Sequence, residues 1–202
     1  MVDQFPRRWV AVVKLGFIVE GASEKAILKS SMFRSLMERL GLAYVENIID
    51  AKGGGKLLPQ HLEDQIIALW ADGATQILIL TDQEDAPCLT SVKERINPEG
   101  KHIVVIAVKA IEAWLLADSK AISTYFGKKF ECENPESHAK PFLHLKAEKL
   151  RLTNRGVSDK GQLCSRILAS GFSLESAAAH PNCPSAKYFI EKLTALSLPK
   201  AT

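Results

Sequence analysis

Extended apolar stretches are missing from this 202-residue chain: nowhere do about 18 or more apolar residues follow one another, so no membrane-spanning helix is expected. The opening residues Met1-Val2-Asp3-Gln4-Phe5-Pro6-Arg7-Arg8 contain no apolar core of export-signal type, and a cytoplasmic location is the expectation. Cysteines are few and scattered. Cys88, Cys132, Cys164 and Cys183 make no CxxC pair, and His61, His102, His138, His144 and His180 make no HxH or HExxH pattern. Linear spacing therefore argues against a zinc cluster or a disulfide scaffold, and the thiols read as reduced and structural. Other signatures are absent too. There is no GxGxxG, which disfavours a dinucleotide cofactor, and no GxSxG elbow. The run Gly53-Gly54-Gly55-Lys56 is not part of a GxxxxGK[ST] loop, and is either a phosphate-contacting loop or a plain turn. No repeat and no low-complexity segment occurs.

What is present is ordinary globular material, with 47% hydrophobic and 24% charged residues. The net charge of +3 is too small to announce a polyanionic partner, but its distribution is uneven. Between Ser119 and Arg166 ten Lys or Arg stand against five acids, which suits a phosphate-bearing partner or a solvated helical surface.

Apolar patterning predicts strands over 9–19, 43–49, 74–80 and 102–108. Helices are predicted over 24–40, ended by Gly41, over 59–70, 88–96 and 110–117, and near 143–151, 159–170 and 185–196, with a long polar loop at 127–141. Strands spaced by helical segments imply crossovers. The expectation is an α/β fold with a four-stranded parallel, Rossmann-like sheet over 1–118 and a helical extension over 119–202 packed on it.

Acids fall at strand ends in three places: Glu20, with Glu24 in the next turn; Asp82, Glu84 and Asp85; and Glu112. Ligands of open parallel sheets bind beyond the carboxyl ends of the strands, so these acids can converge. Converging carboxylates need protons or a cation, and an all-oxygen set suits Mg²⁺ or Mn²⁺. Each also has an ordinary explanation. Glu24 can favour the positive end of its helix, Asp82, Glu84 and Asp85 precede Pro87 in a natural turn, and Glu20 can be a loop acid. Glu112 is the only charge in AIEAWLLA, on a helix apolar all round, where it requires a partner such as Lys109 or another base.

At these residues the chain resembles the TOPRIM domain, a metal-binding α/β unit of topoisomerases, primases and OLD-family nucleases. It is most similar to small bacterial TOPRIM-like proteins, through Phe17-Ile18-Val19-Glu20-Gly21-Ala22-Ser23-Glu24, the Asp82-Gln83-Glu84 centre and the EAWLLAD element Glu112 to Asp118. The likeness continues through Asp159-Lys160 and Cys183-Pro184-Ser185. It implies a catalytic or metal-linked Glu20, a metal-binding pair Asp82 and Glu84 with Asp85 as a substitute, and Glu112 as a further ligand. Glu84 departs from the family's second aspartate. The resemblance also implies defence against phages or mobile DNA beside an ATPase partner.

The leading expectation is a metal-dependent nuclease in which Glu20, Asp82 and Lys160 are catalytic and Lys146, Arg151, Arg155 and Lys160 meet the nucleic acid. A non-catalytic binding module working with a partner protein is the principal alternative, and a nucleotide-processing enzyme a third.

Overall fold

The computed structural model describes residues 13–157 and 159–197; the first residues of the strand expected over 9–19 lie outside them. The elements run β1 (Lys14–Val19), α1 (Ala22–Lys29), α2 (Ser31–Arg39), β2 (Ala43–Tyr44), β3 (Ile49–Asp50), α3 (Pro59–Ala71), β4 (Gln76–Asp82), α4 (Leu89–Ile96), β5 (Ile103–Ala107) and α5 (Glu112–Ala117). Then follow α6 (Ser119–Phe126), α7 (Pro141–Thr153), α8 (Lys160–Ala169), α9 (Leu174–Ala179) and α10 (Pro184–Ser197), with short 3-10 turns at Gly54–Leu57 and Pro135–Ser137.

All strand pairs are parallel. β1 lies inside, with β4 and then β5 on one side; β2 and β3 together form the other edge, pairing with successive parts of β1. The single edge strand expected over 43–49 is thus two short bridges. The chain moves from β1 to one edge and then back across to β4, so the direction of strand order reverses between β1 and β4.

Period-two alternation places side chains on opposite faces of the sheet. Leu15, Phe17 and Val19, with Leu78, Leu80, Val105 and Ala107, face a core built by α1, α2 and the helices after β5. Ile18, Ile77, Ile79, Val104 and Ile106 face α3 and α4 through Leu62, Ile66, Leu69, Val92 and Ile96, with Leu57 of the turn before α3. Burial of both faces explains why these strands read as near-continuous apolar runs.

The helix expected over 24–40 is divided. Ser30 adopts an extended conformation and its hydroxyl accepts a hydrogen bond from the Phe33 amide, starting α2 afresh. Beyond β5, the C-terminal helices join the same core. Trp114 of α5 stacks on Phe189 of α10, ring centroids 5.5 Å apart, and its indole donates to Ser185 Oγ at 2.7 Å. Asp118, the last residue of EAWLLAD, is a buried cap: one oxygen accepts from the Ala121 amide and the other from the Ser173 amide. No helix among the described residues is long and apolar enough to cross a membrane.

Candidate functional site

β1 ends at Val19 and β4 at Asp82, so Glu20 and Asp82 emerge side by side at the carboxyl rim where the strand order reverses. Glu20 is held from two directions: its Oε2 accepts from the Thr81 hydroxyl and from the Asp82 amide at 3.0 Å. The glycine-rich loop closes over it. The Gly53 amide donates to the Glu20 carbonyl at 2.8 Å, and a Cβ on Gly54 would lie 3.2 Å from Glu20 Oε1. Gly53 has φ of +119°, which only glycine adopts without strain. The loop's observed role is thus to pack against the acid.

Three further groups meet there. Glu24, Asp82 and Glu112 are 3%, 7% and 1% exposed, degrees of burial that are unusual for acids. Asp82 Oδ1 accepts from the Ile111 amide at 2.8 Å. Glu112 Oε1 faces the Lys160 ammonium at 3.1 Å, although no hydrogen bond of good geometry reaches that oxygen among the described residues. The partner of Glu112 is therefore Lys160, brought in at the start of α8, and not Lys109.

The electrostatics join these residues into one group. Burial, then Glu24 and Glu112, hold the Asp82 carboxyl well above its ordinary range, with Lys160 working the other way. The Glu24 carboxyl is also pushed up, first by burial, against a backbone hydrogen bond and Lys160. Burial disfavours the charge on Lys160, but Glu112, Asp82 and Glu24 outweigh it and hold the ammonium above its usual value. Four carboxyl groups share one nearby cation, so retaining protons on Asp82 and Glu24 relieves charge that Lys160 alone does not balance.

The other predicted site residues lie elsewhere. Glu84 and Asp85 are exposed in the turn after β4, and the main charges acting on Asp82 and Glu24 come from other residues. Glu84 takes φ of +51°, and its amide donates to the Lys109 carbonyl. Lys146, Arg151 and Arg155 are exposed on α7 and just after it, with Arg151 held by Glu148. Glu24, which the sequence offered as a helix-start acid, is in the group.

Two hollows, of about 450 and 380 Å³, lie between α4, β5 and α10 and between α3 and α4, and neither is lined by the clustered acids. Nor are the carboxylates closed into a cage. Among the described residues, three candidate ligand atoms come within 4.8 Å of one another only at Cys132, His138 and His144. That cluster corrects the expectation, drawn from linear spacing, that no cysteine–histidine set exists. Its members are separated by a loop, so no short motif announces them. The chemistry of both places rests on the chain's own residues, since none of the family models, curated proteins or solved structures compared with it matches this chain.

Proposed function

We propose that the chain is a divalent-metal-dependent phosphodiesterase of TOPRIM-like type that cuts DNA or RNA. The observation that carries this reading is the convergence of Glu20, Glu24, Asp82 and Glu112 on one rim, three of them buried, with Lys160 as the nearby cation. A Rossmann-like strand order, with Glu20 and Asp82 at the reversal between β1 and β4, is the place where such sheets bind ligands.

Mg²⁺ or Mn²⁺ fits the donors. The set is all oxygen, and Mg²⁺ commonly keeps several waters and uses one or two carboxylates, so a closed protein cage is not required. Glu20 and Asp82 would hold the ion, with Glu24 and Glu112 beside them; Glu84 and Asp85, exposed beyond β4, stand outside this set. When bound, such an ion polarises a phosphate oxygen and acidifies a coordinated water.

The remaining work belongs to side chains already in place. Thr81 and the Asp82 amide fix one oxygen of Glu20, leaving Oε1 outside the described hydrogen bonds; the Ile111 amide does the same for Asp82, leaving Oδ2. Scaffold hydrogen bonds of this kind orient ligands before the ion arrives. Lys160 keeps its proton and supplies positive charge where a phosphate would approach. Lys146 and Arg155 are exposed and offer backbone contacts, whereas Arg151 would first have to leave Glu148. Defence against phages or mobile DNA, beside an ATPase partner, is the setting that the family likeness implies.

The test is cleavage of plasmid and single-stranded substrates with Mn²⁺ or Mg²⁺. Wild type should cut and a chelator should stop it, while Glu20→Ala and Asp82→Ala should each lower the rate about 100-fold or more. Unchanged rates in folded variants would remove the proposal.

One contact favours a second reading, the non-catalytic binding module: the Lys160 ammonium already sits against Glu112, where a neutralising cation is called for. Calorimetric titration with Mn²⁺ separates the two, because a module neutralised by lysine should give no specific binding heat.

A further inference from the structure

The loop between α6 and α7 is polar in composition, yet Phe130, Cys132 and Pro135 are buried within it. It is tied on one side to the start of α10: His180 Nε2 lies 3.0 Å from the Cys132 carbonyl, Asn182 donates to the Glu133 carbonyl at 2.9 Å, and Ser185 donates to Glu136 Oε1 at 2.6 Å. On its other side the cluster forms. Cys132 Sγ lies 3.4 Å from His138 Nε2, and the His138 ring stacks on His144, in the first turn of α7, with centroids 3.7 Å apart. One ligand atom from each of the three lies within 4.8 Å of the others.

We propose that Cys132, His138 and His144 form a zinc site that pins the loop between α6 and α7 to α7. Thiolate and imidazole donors select Zn²⁺ over the hard ions that suit the acidic rim. Tetrahedral zinc, with bonds of about 2.3 Å to sulfur and about 2.0–2.1 Å to nitrogen, sets its ligand atoms about 3.3–3.6 Å apart. The Cys132–His138 separation already has that value, and closing the third ligand requires a shift of at most about 1 Å together with a rotation of one of the stacked imidazoles, so that both ring nitrogens point at the ion. Both imidazoles are half-buried, so an ion can reach them from solvent. The fourth position falls to water or to Glu148, one turn further along α7, whose charge acts on both histidines. Binding releases the Cys132 thiol proton to solvent as the sulfur–zinc bond forms, with no change of oxidation state. Because α5, which carries Glu112, packs against both α7 and the turn Pro135–Ser137, the site braces the helix behind the acidic rim.

The experiment is titration of chelator-treated, full-length protein with Co²⁺, followed by displacement with Zn²⁺. Wild type should show thiolate-to-cobalt charge-transfer absorption with tetrahedral visible bands, corresponding to one thiolate-bound ion per chain and bleached by Zn²⁺, whatever further Co²⁺ the acidic rim takes up. Cys132→Ser should lose the charge-transfer band, and His144→Gln should weaken binding about 100-fold. Replacing a buried cysteine can unfold the chain, so wild type and His144→Gln decide the matter if Cys132→Ser does not fold. Cys88→Ser, Glu20→Ala and Asp82→Ala should leave the band unchanged, which separates this site from the acidic rim. No charge-transfer band in wild type, its persistence in Cys132→Ser, or unaltered affinity in His144→Gln would each overturn the assignment.

Discussion

A carboxylate that folding takes out of water needs a donor, a counter-charge or a proton, and the acids of the rim use all three. Glu20 takes the Thr81 hydroxyl and the Asp82 amide, and Glu112 takes Lys160. Asp82 takes the Ile111 amide, yet its carboxyl still lies well above the ordinary range, because burial and the charges of Glu24 and Glu112 oppose ionisation. The folded chain therefore keeps a proton on Asp82 at pH values where the unfolded chain has released it. Stability owed to this group is full below the ordinary carboxylate range and falls as pH rises through the folded-state value. In the presence of a chelator, the unfolding free energy of wild type relative to Asp82→Asn should decrease as pH rises above the ordinary carboxylate range. If the rim holds the proposed ion, saturating Mn²⁺ should compete with the proton and flatten or reverse the slope. A difference that stays flat or grows with pH in chelator would contradict this account.

Among the elements, β1 meets α3 and its neighbours tightly at Gly16. A Cβ there would lie 2.9 Å from Ile77 Cδ1, 3.0 Å from Ala74 Cβ and 3.1 Å from Leu69 Cβ, so α3 packs directly on the strand that presents Glu20. Gly16→Ala should destabilise the chain by about 1–3 kcal/mol through overpacking. Gly55→Ala, where a Cβ meets nothing within 4 Å, should stay within about 0.5 kcal/mol. Urea unfolding of the pair checks the contrast. In sequence, Gly16 is only an interruption in an apolar run; its reason is a contact made by residues more than 50 positions away. The same distinction runs through the other elements. β1, β4, β5 and α3 were legible because their burial is written as local apolar patterning. The break at Ser30, the division of the edge into β2 and β3, and the short helices α6 and α9 were not, since each is set by a cap or by packing that periodicity does not record. Glu20, Asp82 and Glu112 could be read from strand ends and from one charge in an apolar helix. Glu24 reads equally well as a helix-start acid, Lys160 arrives only through the family likeness, and Cys132, His138 and His144 meet only because a loop folds back on α7.

At the scale of the whole molecule, the sequence divides at about residue 118, where strand patterning stops, but the core crosses that line. Leu145, Leu163, Ile167, Phe172, Phe189 and Leu193 are all fully buried in the cluster that also contains Phe17, Phe33, Leu78 and Trp114. Phe189 is the joint: it stacks on Trp114 at 5.5 Å and on Phe33 at 6.3 Å, and Phe33 meets Phe17 edge to face at 5.7 Å. Burying one such side chain contributes about 1.5–3 kcal/mol, so six together rival the whole stability of a typical domain, about 5–15 kcal/mol. The candidate site crosses the line as well, since Lys160 of α8 is the cation beside Glu112. A chain ending at residue 118 would expose Trp114 and Phe33 and leave Glu112 without its counter-charge. It should therefore fail to unfold cooperatively, bind a hydrophobic dye and aggregate, while the full chain gives a single sharp transition. Co-expressing residues 119–202 as a separate chain should restore solubility if the two segments share one core. A cooperative, soluble 1–118 fragment with native-like near-ultraviolet circular dichroism would instead mean that the sheet and its first helices are sufficient, with the later helices an addition to a finished domain.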